Sequence, residues 1–285
     1  VLDILRIAIA LSCLIYASYH DIKTRLIPSW IWWIMGLSAL FLFSLDAYKE
    51  GKEFLLFSVP IAVVMIEALV ERDDLRNVEK TWPFFLLYLS AIAVLLWGYG
   101  NYREKQIFLG ALSATGISVF FFLLYSLNII HGAADAKAMV MLSIMFYRYP
   151  FSMAGNGLEG EISVLFPFSL TVLFLASLIV ALMPVYFLAI NLMKGDVSFP
   201  EMLLGYRMKV AEAKKKKVWP MVRIVDGKLK RVLFPTKYME IDWDAIENSG
   251  MDEVWVTPKI PFIVPITLGF ILALIIGNPL TYFIT

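Results

Sequence analysis

A chain of 285 residues that is 60% hydrophobic and only 17% charged, with a mean hydropathy of +0.75, is too apolar for a soluble globular domain, whose apolar share lies nearer about 45–50%. Its formal net charge of +1 provides no overall basic field for nucleic acid, and its single cysteine, Cys13, can form neither an intramolecular disulfide nor, alone, a structural zinc site. These values point to an integral membrane protein.

A bilayer core of about 30 Å needs about 20 apolar residues of helix. Residues 2–19 and 28–45 satisfy that requirement; the first run is read as a retained helix, and Pro28 suits the first turn of the second. Residues 54–70 form a borderline span interrupted by Glu67, whereas 83–99 and 107–130 read as full spans. Residues 136–147 are apolar but short, 166–192 are long, and 260–284 close the chain, giving six to eight transmembrane helices. Trp30, Trp32 and Trp33 read as an interfacial belt or lipid-facing bulk, and the phenylalanines at 120–122 as lipid or core packing.

Lysine and arginine set the expected orientation, because short loops rich in them stay in the cytoplasm. Placing HDIKTR (20–25) inside puts Arg72, Arg76, Lys80, Lys137 and the basic stretch 194–259 inside as well. Four helices then separate HDIKTR from HGAADAK (131–137), so both stretches emerge on one face. Residues 194–259 read as a small α+β domain. Within it 201–217 is expected to be an amphipathic helix, the stretch around Asp226-Gly227 a hairpin, 243–248 a short helix and 253–257 a strand. Lys214 to Lys217 suit anionic headgroups or a solvated helix end. The expected fold is an all-α polytopic bundle (1–193), a small cytoplasmic α+β domain (194–259) and a C-terminal transmembrane helix (260–285).

Two carboxylates carry the chemistry. Asp21 follows the first apolar run and Asp135 precedes a later one, at similar depth on one face. When two acids share a site, like-charge repulsion leaves one protonated and one ionised. The ionised group can take a proton from water while the other polarises a scissile carbonyl. Gly132, Ala133 and Ala134 leave room for another backbone. Each acid alone also has an ordinary explanation: Asp135 as a helix N-cap, Asp21 as an interfacial charge near Lys23 and Arg25.

HGAADAK resembles the G-x-G-D-x-K motif of the G-x-G-D aspartyl membrane proteases, and YHDIKTRLIPSW resembles the D-x-[KR]-x-R-x-I-P stretch that bears their first aspartate. The combination is similar to the type IV prepilin peptidases; GYRMKV and EVWVTPKIPFIVPITLGF resemble the corresponding parts of archaeal preflagellin peptidases. The resemblance implies an aspartic endopeptidase, without cofactor or metal, that removes a short basic leader from preflagellin or prepilin-like precursors on the cytoplasmic side. Asp21 and Asp135 would form its dyad. Gly132 matches the first motif glycine, Ala134 stands where the second is expected, and Lys137 matches the motif lysine. Lys23 and Arg25 would help hold the acids or serve as inside-positive anchors. The family is associated with two helices between its aspartates, so one hairpin within 54–99 is extra here.

Two rival readings have distinct signatures. His20 and His131 beside the acids would suit a zinc hydrolase, although no H-E-x-x-H occurs. Intramembrane acids also suit a transporter or channel, whose further signs would be broken helices and internal repeats. Besides the precursor, the expected partner is membrane lipid, with Asp73, Asp74 or Glu79 as candidate guides for the basic leader.

Overall fold

The computed structural model describes residues 2–70, 78–127, 129–130, 132–150, 166–225, 228–235, 239 and 241–279. The helices are α1 (Leu2–Thr24), α2 (Trp30–Glu50), α3 (Ser58–Leu69, entered through a 3-10 helix at Lys52–Phe57), α4 (Val78–Tyr102), α5 (Gln106–Ser126), α6 (Ala133–Met145), α7 (Phe168–Ala181) and α8 (Met183–Lys194). A small α+β region follows, with α9 (Glu201–Leu204), β1 (Tyr206–Lys209), α10 (Val210–Ala213), β2 (Val218–Pro220), β3 (Val222–Val225), β4 (Lys228–Arg231), α11 (Trp243–Asn248) and β5 (Glu253–Pro258), before α12 (Ile263–Ile276). Among the described residues five stretches are long and apolar enough to cross a membrane: Leu2–Thr24, Trp30–Glu50, Phe85–Tyr102, Gln106–Ser126 and Phe168–Lys194. This is a polytopic membrane protein with a small α+β region.

The chain divides into two compact units, Val1–Ser177 with Pro261–Thr285, and Leu178–Ile260. In the first, α6 is the central element. It packs on α2, α3 and α5 and also meets α1 and α12, and its residues from Ala138 to Met145 are all buried. A helix apolar on every side belongs inside a bundle. At 1.5 Å per residue its 13 residues extend about 20 Å, less than a bilayer core, so α6 does not span by itself. Phe146, Phe168 and Phe270 then stack with centroids 4.9–5.7 Å apart, joining the ends of α6 and α7 to α12.

The opposite end of α1 carries a polar centre that the sequence reading missed. Arg6, 2% exposed, donates to Asp46 Oδ2 at 2.7 Å and to the Leu42 carbonyl at 3.1 Å. Tyr147 Oη donates to the same Asp46 oxygen at 3.0 Å, and the Arg148 guanidinium lies 3.6 Å from it. One carboxylate thus gathers α1, α2 and the segment after α6. A buried charge is tolerated only with such partners.

In the second unit β5 is the central strand of an antiparallel sheet ordered β1-β5-β2, over a core of Met208, Val210, Ala213, Val218, Ile246, Val254 and Val256. β3 and β4 pair in antiparallel register with Val225 opposite Lys228, as the hairpin expectation required. Asp242 caps α11 by accepting from the Ala245 N–H at 2.9 Å.

Several expectations are corrected. Residues 201–217 form no single amphipathic helix. Gly205 adopts extended backbone where a Cβ would come within 2.1 Å of the Val256 carbonyl oxygen, and YRMK then alternates as strand β1 against β5, with Met208 inward. Sheet pairing overrides the helical period there. Residues 54–70 are not one regular α-helix: the 3-10 helix Lys52–Phe57 runs directly into the 12-residue α3. Pro28 lies ahead of α2, which starts at Trp30. Helix α5 ends at Ser126 and α12 at Ile276, before Gly277, whose φ is 77°. Trp32 is buried in the bundle rather than at its surface, whereas Trp30 and Trp33 are exposed; Phe121 in the core and Phe120 at the surface fit the expected lipid or core packing. Glu67 is half-buried and lines a small cavity with Ser118 and Val140.

Candidate active site

Helix α1 runs through Asp21 to Thr24, so this acid lies in its last turn rather than after it. The turn is closed by Arg25, a non-glycine residue in the left-handed region with φ 62°, whose N–H donates to the Asp21 carbonyl at 3.2 Å. That fold-back sets the Arg25 guanidinium 3.8 Å from Asp21 Oδ1, with the Asp21 side chain 14% exposed. Thr24 Oγ1 donates to the His20 carbonyl at 2.9 Å, further fixing the helix end.

Asp135 occupies the first turn of α6. That helix starts at Ala133 with Gly132 at the N-cap position, so Asp135 is its third residue and not its cap. Its carboxylate curls back over Gly132: a Cβ built there would meet Asp135 Oδ2 at 2.1 Å and Cγ at 2.8 Å. Only glycine gives this carboxylate that position. Ala134 points its methyl toward the bundle core, half-buried, and Lys137 is half-buried on the following turn.

Asp135 lies outside the five spanning stretches. Burial first, and the negative charge of Asp21 second, together push its carboxyl up from 3.8 to about 7. Two acids 114 positions apart in the sequence therefore act on each other electrostatically. They come from the last turn of α1 and the first turn of α6, at the end of the bundle remote from Arg6 and Asp46. A water molecule between such groups would face one proton donor and one proton acceptor.

Lys23 is exposed; its Nζ donates to Tyr19 Oη at 3.2 Å and stands 5.5 Å above that ring. His20 is half-buried, with its ring 4.6 Å from that of Tyr16 and 5.7 Å from that of Tyr19. Among the described residues no group of three or more His, Cys, Asp or Glu could hold a metal. His131, Asp73 and Asp74 lie outside the described residues, as does the side chain of Glu79.

Arg6, Asp46 and Tyr147 tie the far end of α1 and the segment after α6, the two elements that carry the acids, to α2. Arg6 sits inside the first apolar run and Asp46 directly follows the second, an available signal, since charges there demand partners.

Comparison with known proteins gives concordant results. Residues 198–278 match the family described as Archaeal Peptidase A24 C-terminus Type II. The preflagellin peptidase of Methanocaldococcus jannaschii is 27% identical over 78% of this chain and 94% of its own length. That of Methanococcus voltae is 26% identical over 75% and 92%, and that of Methanococcus maripaludis 24% identical over 78% and 96%.

Proposed function

On the premise that this chain is a relative of the archaeal preflagellin peptidases, we propose that it is an aspartic endopeptidase of the membrane. It removes the short basic leader from preflagellin or from prepilin-like precursors on the cytoplasmic side. The observation that carries the aspartic mechanism is the electrostatic coupling of Asp21 to a half-buried, largely desolvated Asp135.

The raised pKa supports a division of roles. Asp135, in the protonated form still populated near neutral pH, donates a hydrogen bond to the scissile carbonyl oxygen, and ionised Asp21 accepts a proton from the attacking water. Hydroxide adds to the carbonyl carbon as Asp135 passes its proton to the oxygen. The gem-diol intermediate then collapses: the C–N bond breaks, the proton taken by Asp21 goes to the departing amine, and one hydroxyl returns its proton to Asp135. Arg25, 3.8 Å from Asp21, holds that carboxylate in place. Gly132 leaves the space that the Asp135 carboxylate occupies, Ala134 stands as a small residue at the second glycine position of the motif, and Lys137 helps orient the motif. The precursor reaches the site laterally from the lipid, with its basic residues in the cytoplasm.

The test is to incubate the purified protein in lipid nanodiscs with leader-bearing archaellin and pilin precursors and to read the new N-terminus by mass spectrometry. Wild type is expected to release the leader and both Asp21→Asn and Asp135→Asn to release none. Cleavage by either variant at the wild-type rate would refute the dyad. Ion flux that depends on Asp135, without cleavage of any precursor, would favour a transporter.

A further inference from the structure

Within the unit Leu178–Ile260, the end of α8 is built with more polar clamping than a simple helix exit requires. Gly195, with φ 74°, turns the chain back so that its N–H donates to the Leu192 carbonyl at 3.2 Å and the Asp196 N–H to the Asn191 carbonyl at 2.9 Å. The fully buried Asn191 side chain donates to the carbonyls of Met202 at 2.9 Å and Gly205 at 2.7 Å. Residues 195–205 are thereby held against the last turn of the helix. Glu201, 4% exposed, accepts from Ser198 Oγ at 3.0 Å and pairs with the Arg231 guanidinium at 3.3 Å, which ties the end of β4 to the same place.

On this clamped region large apolar side chains face outward: Val197 is 68% exposed, and Phe199 and Phe234 are each 74% exposed. Exposed basic residues accompany them, Lys194 at the helix end and Lys230 and Arg231 on β4. Two phenylalanines left in water forfeit the stabilisation that burial gives, of order 25 cal/mol per Å² of apolar surface. Chain continuity says what lies near Phe199, and the Glu201–Arg231 pair holds the end of β4, which leads to Phe234, at the same place. Lys194 closes the spanning stretch Phe168–Lys194, and even a fully extended chain keeps Phe199 within about 17 Å of that end.

We propose that Val197, Phe199 and Phe234, flanked by Lys194, Lys230 and Arg231, form a seat by which this unit rests on an anionic lipid surface. The rings enter the interfacial zone, where amphipathic surfaces bury apolar groups among headgroups, and the cations pair with lipid phosphates. The Glu201–Arg231 pair and the Asn191 clamp position the two parts of the seat with respect to each other.

The test uses the full chain in nanodiscs of phosphatidylglycerol or phosphatidylcholine, with Cys13→Ala and a single nitroxide label at Phe199→Cys, Phe234→Cys or, as control, the half-exposed Glu247→Cys. Labels at 199 and 234 are expected to collide several-fold more with oxygen, which concentrates in lipid, than with a water-soluble nickel chelate. The label at 247 is expected to show the reverse. The preference at 199 and 234 should grow in the anionic discs. Equal aqueous accessibility at all three sites, or protection of 199 and 234 from both reagents as in a protein contact, would overturn the proposal. Should a cysteine variant fail to fold, p-benzoylphenylalanine at the same positions gives a second readout: lipid adducts on irradiation support the seat, and protein adducts or none refute it.

Discussion

The carboxylate of Asp135 stands over the α-carbon of Gly132, so that a Cβ on residue 132 would lie 2.1 Å from Asp135 Oδ2. Real atoms cannot share that space, and the carboxylate of a Gly132→Ala variant has to swing away. We expect kcat to fall at least about tenfold, equivalent to about 1.4 kcal/mol in the barrier, with little change in thermal stability. Steady-state cleavage of a precursor with a matched melting curve checks this; an unchanged kcat would show that the close approach is irrelevant to the chemistry.

The pH dependence follows from the raised carboxyl of Asp135. Its native value, about 7, exceeds the ordinary 3.8, so the folded protein holds a proton that the unfolded chain releases. The resulting stabilisation is fully present below about pH 4 and is lost as pH rises through about 7. Cleavage, which uses the protonated form, should decline over the same upper range. In Asp21→Asn the titration of Asp135, followed by its carboxylic C=O infrared band, should shift downward but stay above 3.8, because burial is the larger cause. No shift in that variant would mean that the two acids are not electrostatically coupled.

The buried centre around Asp46 predicts a stability effect far from the site. Asp46→Ala leaves the Arg6 guanidinium, 2% exposed, without its 2.7 Å partner, and Tyr147 without an acceptor. Removal of one member of a buried pair costs about 3–5 kcal/mol, whereas replacing both, as in Arg6→Met with Asp46→Leu, should restore much of the loss. Reversible denaturation in mixed detergent micelles measures both, and additive losses in the double variant would contradict the pairing.

Helix α12 meets α7 through backbone. A Cβ at Gly269 would lie 2.7 Å from the Val172 carbonyl oxygen and 2.8 Å from the Ala176 nitrogen. Small residues allow such close helix contact. Gly269→Val should therefore destabilise the bundle by about 1–3 kcal/mol through overpacking, lowering its melting temperature.

The metal alternative has its own discriminating outcome. His20 packs against the rings of Tyr16 and Tyr19, an interfacial setting that an imidazole fills without a ligand role. Precursor cleavage should persist after prolonged dialysis against a strong chelator, and its loss together with recovery on added zinc would restore the zinc reading.

Much of this protein was legible in its residues. Long apolar runs separated by charge place α1, α2, α5 and the α7–α8 stretch, because a membrane solvent requires continuous apolar helix and the period is local. The HGAADAK and HDIKTR stretches marked Asp135 and Asp21, since acids beside apolar runs are costly and few. Where local pattern competes with distant pairing, it fails: 201–217 has helical composition, yet Gly205 and the β5 strand turn part of it into β1. The Glu67 segment shows no break in its composition where a 3-10 helix passes into a short α-helix.

The sequence by itself determined the membrane character, the existence of two candidate acids and the small α+β region, since each rests on composition or short-range spacing. Only the tertiary structure brought Asp21 and Asp135 into electrostatic reach, set the Asp135 carboxylate over Gly132 and joined Arg6 to Asp46. These relations depend on how helices distant in the chain pack, and that packing is settled by the summed shape of many apolar side chains around α6 rather than by any local motif.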